Sequence, residues 1–176
     1  GRFLGTDPLA AVGATVNIVN LFQFLCWGFA SGFSIITGQA FGEGNEKKLR
    51  KTIAHTYLLS IILLVILMAA GLLLKEKILY WTKIPQEIHG IASTYLTISI
   101  FGLSAYMIGT VITNVLRALG DSLIPLIFQA VSVCLNLVLD YIFIAVLGKG
   151  VAGAAIATVI SQAVSGTASI IYCILK

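Results

Sequence analysis

The sequence predicts an all-α integral membrane protein with five transmembrane helices. Of its 176 residues, 59% are hydrophobic and only 10% are charged, whereas a typical soluble domain is about 25% charged. The mean hydropathy of +1.02 also indicates a chain whose solvent is lipid. Too few polar side chains remain to cover a water-facing surface, which excludes a soluble enzyme. The net charge of +4 does not imply a nucleic-acid partner, because the basic residues lie in short gaps between apolar runs.

Five apolar runs define the predicted helices. A helix needs about 20 apolar residues to cross a bilayer at a rise of about 1.5 Å per residue, and every run is longer than that. The strands of a membrane barrel would alternate between apolar and polar side chains, but the stretch LLSIILLVILMAA in the second run shows no alternation. The runs cover residues 9–41, 52–74, 88–116, 123–147 and 151–175.

The first run, residues 9–41, is longer than a perpendicular span requires. We therefore expect its helix to tilt and to end near Gln39, where a glycine-rich stretch begins. The chain starts at Gly1 and shows no signal-peptide pattern, so we expect it to be a fragment of a longer protein. Under the orientation that the charges predict, one further helix would precede this run.

The densest group of positive charges lies in the first connection, at Lys47, Lys48, Arg50 and Lys51. The positive-inside rule places this connection in the cytoplasm, although all 11 basic residues together are divided almost evenly, six inside and five outside. Alternation then puts the loop at residues 75–86 outside, with Tyr80 and Trp81 as interfacial anchors. The expected location is the cell inner (cytoplasmic) membrane, which the chain crosses several times.

Asp140 is the candidate functional residue, because it is the only charged side chain inside any of the five runs. A carboxylate in the bilayer costs a few kcal/mol unless it is paired, hydrated or protonated. Gln129, Ser132 and Asn136 precede it at spacings of three and four residues, which place all four on one helix face. Asp140 can act as a cation ligand and proton acceptor, or it can simply hydrogen-bond to a neighbouring helix.

The last run offers a second polar face. The connection at residues 148–150 is so short that the last two helices must be antiparallel neighbours, which brings Asp140 and Thr158 to similar heights. A hard cation such as Na⁺ prefers oxygen ligands, but the Thr158 hydroxyl can equally bond to a carbonyl of its own helix. The polar face consists of Thr158, Gln162, Ser165 and Ser169, and a ridge of small residues consists of Gly153, Ala157 and Ser161.

Further amide, hydroxyl and aromatic side chains lie in the first and third runs. Such residues usually face the interior of a helix bundle, where they either line a cavity or fasten helices together. The sequence does not separate these two interpretations. The residues are Asn17, Asn20, Gln23 and Trp27 in the first run, and Tyr95, Ser99, Tyr106, Thr110 and Asn114 in the third.

Taken together, these patterns resemble the multidrug and toxic compound extrusion (MATE) family of secondary transporters. The resemblance implies twelve helices in two six-helix lobes, of which residues 1–176 form helices two to six of the N-terminal lobe. The first helix and the C-terminal lobe would then be absent. The segments that carry the resemblance are LAAVG (9–13), GFASGFSIITGQAFGEG (28–44), LRALGDS (116–122) with Pro125, NLVLD (136–140) and GVAGAAIAT (150–158).

The resemblance also implies a site for a coupling cation or proton, formed by Asn136, Asp140 and Thr158. These three residues would bind Na⁺ if the protein is coupled to sodium, and no cofactor is expected beyond the coupling ion, Na⁺ or H⁺. Many prokaryotic members complete this site with an acid on the first helix, which this chain lacks. The substrate cavity is expected to include Asn20, Tyr106, Asn114, Gln129, Ser132 and Gln162.

The function implied by the resemblance is secondary active multidrug efflux, in which Na⁺ or H⁺ is exchanged for organic cations by alternating access. The expected partners are small organic cations, the lipid bilayer and the C-terminal lobe of the same chain. An enzyme is not expected, because no metal-ligand cluster, nucleophile and base pair, or phosphate loop is found.

Two alternative functions stay open. The first is a flippase for lipid-linked oligosaccharides, which has a related architecture. A flippase is expected to hold a pyrophosphate with basic residues in its cavity, and none of the 11 basic residues lies inside a run. The second is a non-transporting membrane scaffold, in which Asp140 only pairs helices.

Overall fold

A computed structural model describes the backbone of residues 6–175 and the side chains of residues 10–173. Within that part, the chain forms five long helices and no strands. Each helix is long and apolar enough to cross a membrane, which confirms the predicted fold class. The helices are α1 (Thr6–Gly42), α2 (Glu46–Trp81), α3 (Gln86–Ala118), α4 (Leu123–Asp140), which continues into a π-helical segment (Tyr141–Val146), and α5 (Gly150–Leu175).

Helix α2 is longer at both ends than its apolar run, so the loops predicted at residues 46–51 and 75–81 are helical. The prediction was wrong because an apolar run marks the part of a helix that lies in lipid, whereas charged Glu, Lys and Arg continue a helix well in water. At the start, Asn45 caps α2 by accepting a hydrogen bond from the Lys48 amide at 3.0 Å. Tyr80 and Trp81 therefore lie in the last turn of α2 and not in a loop, and both are exposed.

Helix α1 ends at Gly42, slightly later than the predicted end near Gln39. The chain turns at Gly44, whose positive φ of 65° is readily adopted only by glycine. The turn is closed by hydrogen bonds from the Glu43 amide to the Gln39 carbonyl and from the Gly44 amide to the Phe41 carbonyl, both 3.0 Å. The glycine-rich stretch thus ends the helix through its last glycines and not its first.

The helices pack around α3, which contacts α1, α2 and α5, while α4 packs mainly on α5. The crossing of α3 and α5 is close, because a Cβ atom added to Gly109 would lie 3.7 Å from the Gly166 Cα. The small-residue ridge predicted on α5 is buried as expected, and its first member, Gly153, lies against Phe143. These contacts hold α5 between α3 and α4.

The fourth helix is not a continuous α-helix over residues 123–147, as the sequence predicted. It changes to π-helical geometry directly after Asp140, with a hydrogen bond of 2.9 Å from the Leu147 amide to the Ile142 carbonyl. Apolar periodicity does not distinguish the two geometries, so the run gave no sign of the change. Single π-helical turns inside α-helices often occur at functional sites.

The turn between α3 and α4 is fastened to the far end of α5. Asp121 accepts hydrogen bonds from the Ile124 amide at 3.3 Å and from the Tyr172 hydroxyl at 2.8 Å. The Tyr172 ring also packs edge-on against Phe128, with ring centroids 6.2 Å apart. The start of α4 and the end of α5 are therefore held together at the end of the bundle where α3 finishes.

Candidate functional site

The structure brings Asn136 of α4 and Thr158 of α5 into contact. Asn136 Nδ2 donates to Thr158 Oγ1 at 3.3 Å, while Thr158 Oγ1 donates to the Ala154 carbonyl at 3.0 Å. The Thr158 hydroxyl thus bonds to its own helix, one of the two predicted roles, and also accepts from the polar face of α4. Because Asn136 uses its amino group here, its carbonyl oxygen is left as an acceptor.

Asp140 lies one turn beyond Asn136, at the junction with the π-helical segment. Its Oδ1 atom is buried and has no hydrogen-bond partner among the described residues. Most buried polar atoms in proteins have such a partner, and an unsatisfied one calls for an explanation. A proton on the carboxyl group or a cation bound beside it would supply the missing interaction.

A cavity of about 200 Å³ lies next to this contact, between α1, α3 and α5. We call it the Thr158 cavity. Four of the polar residues whose role the sequence left open line it, together with one predicted substrate residue of α5. Its polar lining residues are Asn20, Gln23, Tyr95, Ser99, Thr158 and Gln162.

A second cavity, of about 250 Å³, lies toward the end of the bundle where α3 finishes, and we call it the Arg117 cavity. Five of the six predicted substrate residues line it, and the sixth, Asn20, lines the Thr158 cavity. Gln162 lines both cavities and so connects them. The residues around the Arg117 cavity are Trp27, Ala105, Tyr106, Gly109, Thr110, Thr113, Asn114, Arg117, Gln129, Ser132, Gln162 and Ser165.

Two hydrogen bonds between α4 and α5 fix the wall that the two helices share. The Ser132 hydroxyl donates to the Ser161 carbonyl at 3.0 Å, and the Ser165 hydroxyl donates to the Phe128 carbonyl at 3.2 Å. Ser132 is buried, so this residue fastens helices as well as lining a cavity. These hydrogen bonds therefore hold the side chains of Ser132 and Ser165 in fixed positions in the cavity wall.

Several sequence-predicted residues lie elsewhere. Asp140 is not among the described residues that line either cavity, but it lies one turn from Asn136, whose partner Thr158 lines the Thr158 cavity. Asn17 lines neither cavity as well.

Arg117 is a charged cavity residue that the apolar runs did not indicate. The third apolar run stops at Leu116, and Arg117 was assigned to the connection that follows. The helix continues to Ala118 and carries Arg117 along the face that lines the cavity. Tyr106, Thr110, Thr113 and Arg117 follow one another at spacings of four, three and four, a pattern that would have placed them on one face.

This chain is similar to known proteins in both sequence and fold. The MatE family model matches residues 1–142. The chain is 34% identical to the probable multidrug resistance protein YpnP of Bacillus subtilis (strain 168), over 99% of this chain and 39% of that protein. It is 30% identical to the probable multidrug resistance protein NorM of Thermotoga maritima, over 96% of this chain and 37% of that protein.

The crystal structure of MATE in complex with MaD3S has the same fold, with a TM-score of 0.91 and 28% identity over 97% of this chain and 38% of that one. The chain thus spans somewhat more than a third of the length of its relatives, consistent with part of one lobe. It belongs to the MatE family, the multidrug and toxic compound extrusion (MATE) transporters.

Proposed function

We propose that this chain is part of a secondary active transporter that exports organic cations in exchange for Na⁺ or H⁺. The observation that carries the proposal is the buried Asp140 Oδ1 atom, which has no hydrogen-bond partner among the described residues and lies one turn from the contact between Asn136 and Thr158. The family supplies the transport activity, and relatives are named as multidrug resistance proteins. The coupling ion and the cationic substrates are inferred from the chemistry of the site.

The oxygen atoms of Asp140, Asn136 and Thr158 suit either coupling ion. Removal from water favours the protonated form of a carboxyl group, whereas a bound cation favours its ionised form. Na⁺ is a hard cation that prefers oxygen ligands, and Asn136, one turn before Asp140, and its partner Thr158 both carry oxygen atoms. Either ion would neutralise Asp140 and satisfy its buried oxygen.

The link from ion to substrate runs through Gln162. The ion site adjoins the Thr158 cavity, and Gln162 lines both that cavity and the larger Arg117 cavity. Ion binding at Asp140 would change the charge at one end of this polar path. It would thereby weaken the hold on a cationic substrate and bias the alternation between inward-open and outward-open states.

The test is efflux of a fluorescent organic cation from proteoliposomes that contain the full-length protein, under separately imposed Na⁺ and H⁺ gradients. Asp140→Asn removes the charge and keeps the shape of the side chain. We expect efflux to be driven by one gradient and to be abolished in Asp140→Asn. The gradient that drives efflux identifies the coupling ion.

The matched control is Glu87→Gln, which removes an acid from the exposed first turn of α3. It should transport like the wild type at equal amounts of reconstituted protein. If folded Asp140→Asn exports as well as Glu87→Gln under both gradients, coupling does not depend on Asp140. That result would favour the scaffold interpretation of this residue.

The position of Arg117 bears on the flippase alternative. A flippase was disfavoured because no basic residue lies inside an apolar run, but Arg117 does line a cavity. Relatives that are 34% and 30% identical are named as probable multidrug resistance proteins, which supports efflux over lipid flipping. We propose multidrug efflux across the cytoplasmic membrane as the better-supported function.

A further inference from the structure

We infer that the Arg117 cavity binds an oxyanion group of the substrate, such as a carboxylate, so that the transporter prefers aromatic compounds that carry this group over their purely cationic counterparts. The inference rests on the proposed export function and names a substrate class for one of the two cavities. Arg117 is the specificity-determining residue.

The described lining of the Arg117 cavity is positively charged. Among the described residues that line the Arg117 cavity, only Arg117 is charged, and none carries a carboxylate. The remaining polar lining consists of amides and hydroxyls, which are neutral. In this part of the protein, the cavity therefore attracts an anionic group and repels a cationic group placed at the same point.

Arg117 is also unengaged by acids of the described residues. The basic residues Lys48, Arg50 and Lys75 each form an ion pair with a nearby glutamate, but none of the ion pairs found in this part of the chain includes Arg117. The nearest acid along the chain, Asp121, directs its two oxygens to the Ile124 amide and the Tyr172 hydroxyl. Among the described residues, the Arg117 guanidinium thus has no ion-pair partner of its own.

The surroundings complete a site for an aromatic oxyanion. A guanidinium presents a planar fork of donors that matches a carboxylate with two parallel hydrogen bonds. Trp27 and Tyr106 line the same cavity and offer ring faces against which an aromatic compound can pack. Asn114 and Gln129 add neutral donors and acceptors.

The anionic group would not meet the carboxylate of the ion site. Gln129 lines the Arg117 cavity and lies three turns before Asp140 on α4, which at a rise of about 1.5 Å per residue separates them by about 16 Å along the helix. Arg117 and Asp140 thus act on different parts of the transport cycle. Substrate recognition through Arg117 can be changed without removing the ion site.

The experiment uses two dyes that differ only at a carboxyl group, rhodamine B with its free carboxylate and its cationic ethyl ester. Their dissociation constants are measured by fluorescence on the purified full-length protein, and their efflux is measured in proteoliposomes. We expect the wild type to bind the carboxylate dye more tightly. Arg117→Gln should weaken its binding about tenfold or more, the loss expected for one charge-assisted hydrogen-bonding partner, and leave the ester unchanged or bound more tightly.

Two further variants sharpen the result. Arg117→Lys keeps the charge but loses the planar fork, so it should retain only part of the preference. Lys51→Gln removes an exposed charge from the first connection and should alter neither dye. The inference is overturned if the wild type shows no preference for the carboxylate dye, or if folded Arg117→Gln changes both dyes equally or neither.

The binding measurement separates this inference from the proposed function. If the preference is present and depends on Arg117 but neither dye is exported under any gradient, the export proposal fails and the site stands. If the ester is exported while the carboxylate dye is neither preferred nor sensitive to Arg117, export stands and the inference fails. If Arg117→Gln does not fold, the wild-type preference and Arg117→Lys decide.

Discussion

Thr158 occupies a position where one hydroxyl performs two tasks. It donates to the Ala154 carbonyl of its own helix and accepts from Asn136 on the neighbouring helix. The first interaction is common for threonine in any helix, and only the second depends on the helix pair. A substitution that removes the hydroxyl but keeps the shape therefore tests the second interaction.

Thr158→Val should weaken the apparent affinity for the coupling ion about fivefold to tenfold, because a hydrogen-bonding oxygen is worth about 1 kcal/mol. Thr158→Ser keeps the oxygen and should stay close to the wild type. The measurement is the dependence of dye efflux on the concentration of the coupling ion, in proteoliposomes with the full-length protein.

Thr167 provides the control for this prediction, because it lies on the same helix and its exposed hydroxyl bonds only to the Ala163 carbonyl. Thr167→Val should leave the ion dependence unchanged. Equal effects of Thr158→Val and Thr167→Val would mean that the hydroxyl matters for the helix and not for the ion.

At the scale of the helices, the apolar runs predicted how many helices cross the membrane and roughly where each lies in the chain. They could not predict the ends, since residues 46–51 and 75–81 remain helical beyond the lipid. They could not predict the π-helical segment after Asp140 either, because its side chains are as apolar as those of an α-helix. The sequence showed the faces that carry Asn136, Asp140 and Thr158, but not the distances between them.

The close crossing of α3 and α5 gives a prediction for these helices. A Cβ atom added to Gly102 would lie 2.5 Å from Val159 Cγ2, so a larger side chain must push the helices apart. Gly102→Leu should destabilise the protein by about 1–3 kcal/mol, the usual cost of overpacking. The measurement is the midpoint of thermal unfolding of the purified full-length protein in detergent.

Gly90 is the matched position on the same helix, because a Cβ atom there would meet nothing within 4 Å. Gly90→Leu should be neutral or slightly stabilising, since leucine favours the helix over glycine by up to about 1 kcal/mol. A drop in the unfolding midpoint as large for Gly90→Leu as for Gly102→Leu would show that the crossing of α3 and α5 is not the cause.

For the whole molecule, the two cavities depend on how three or four helices meet, which no single run contains. Asn20, Tyr95 and Gln162 come from α1, α3 and α5 and line one space. Periodicity indicated that each belongs to a polar face, and the resemblance indicated which faces meet. Arg117 was missed because a charged residue at the end of an apolar run is usually assigned to water.

The basic residues predict how the bundle is oriented in the membrane. Gly38 of α1 lies near Ala118 of α3, so the connection that starts α2 lies at the same end of the bundle as Arg117 at the end of α3. The cluster at Lys47, Lys48, Arg50 and Lys51 places that end in the cytoplasm. Substrate from the cytoplasm would then meet the Arg117 cavity first, and ions from outside would approach the end that holds Asp140.

Single cysteines test this orientation in the full-length protein, after all its native cysteines, Cys26, Cys134 and Cys173 included, are replaced. In intact cells, a membrane-impermeant maleimide should label Glu87→Cys, and it should label Glu46→Cys only after the membrane is made permeable. Glu46 is highly exposed, so labelling in permeable cells shows that the reagent can reach it. The reverse labelling pattern would place the Arg117 cavity at the outer side of the membrane. Export would then have to begin at the Thr158 cavity, and the ion site at Asp140 would lie on the cytoplasmic side.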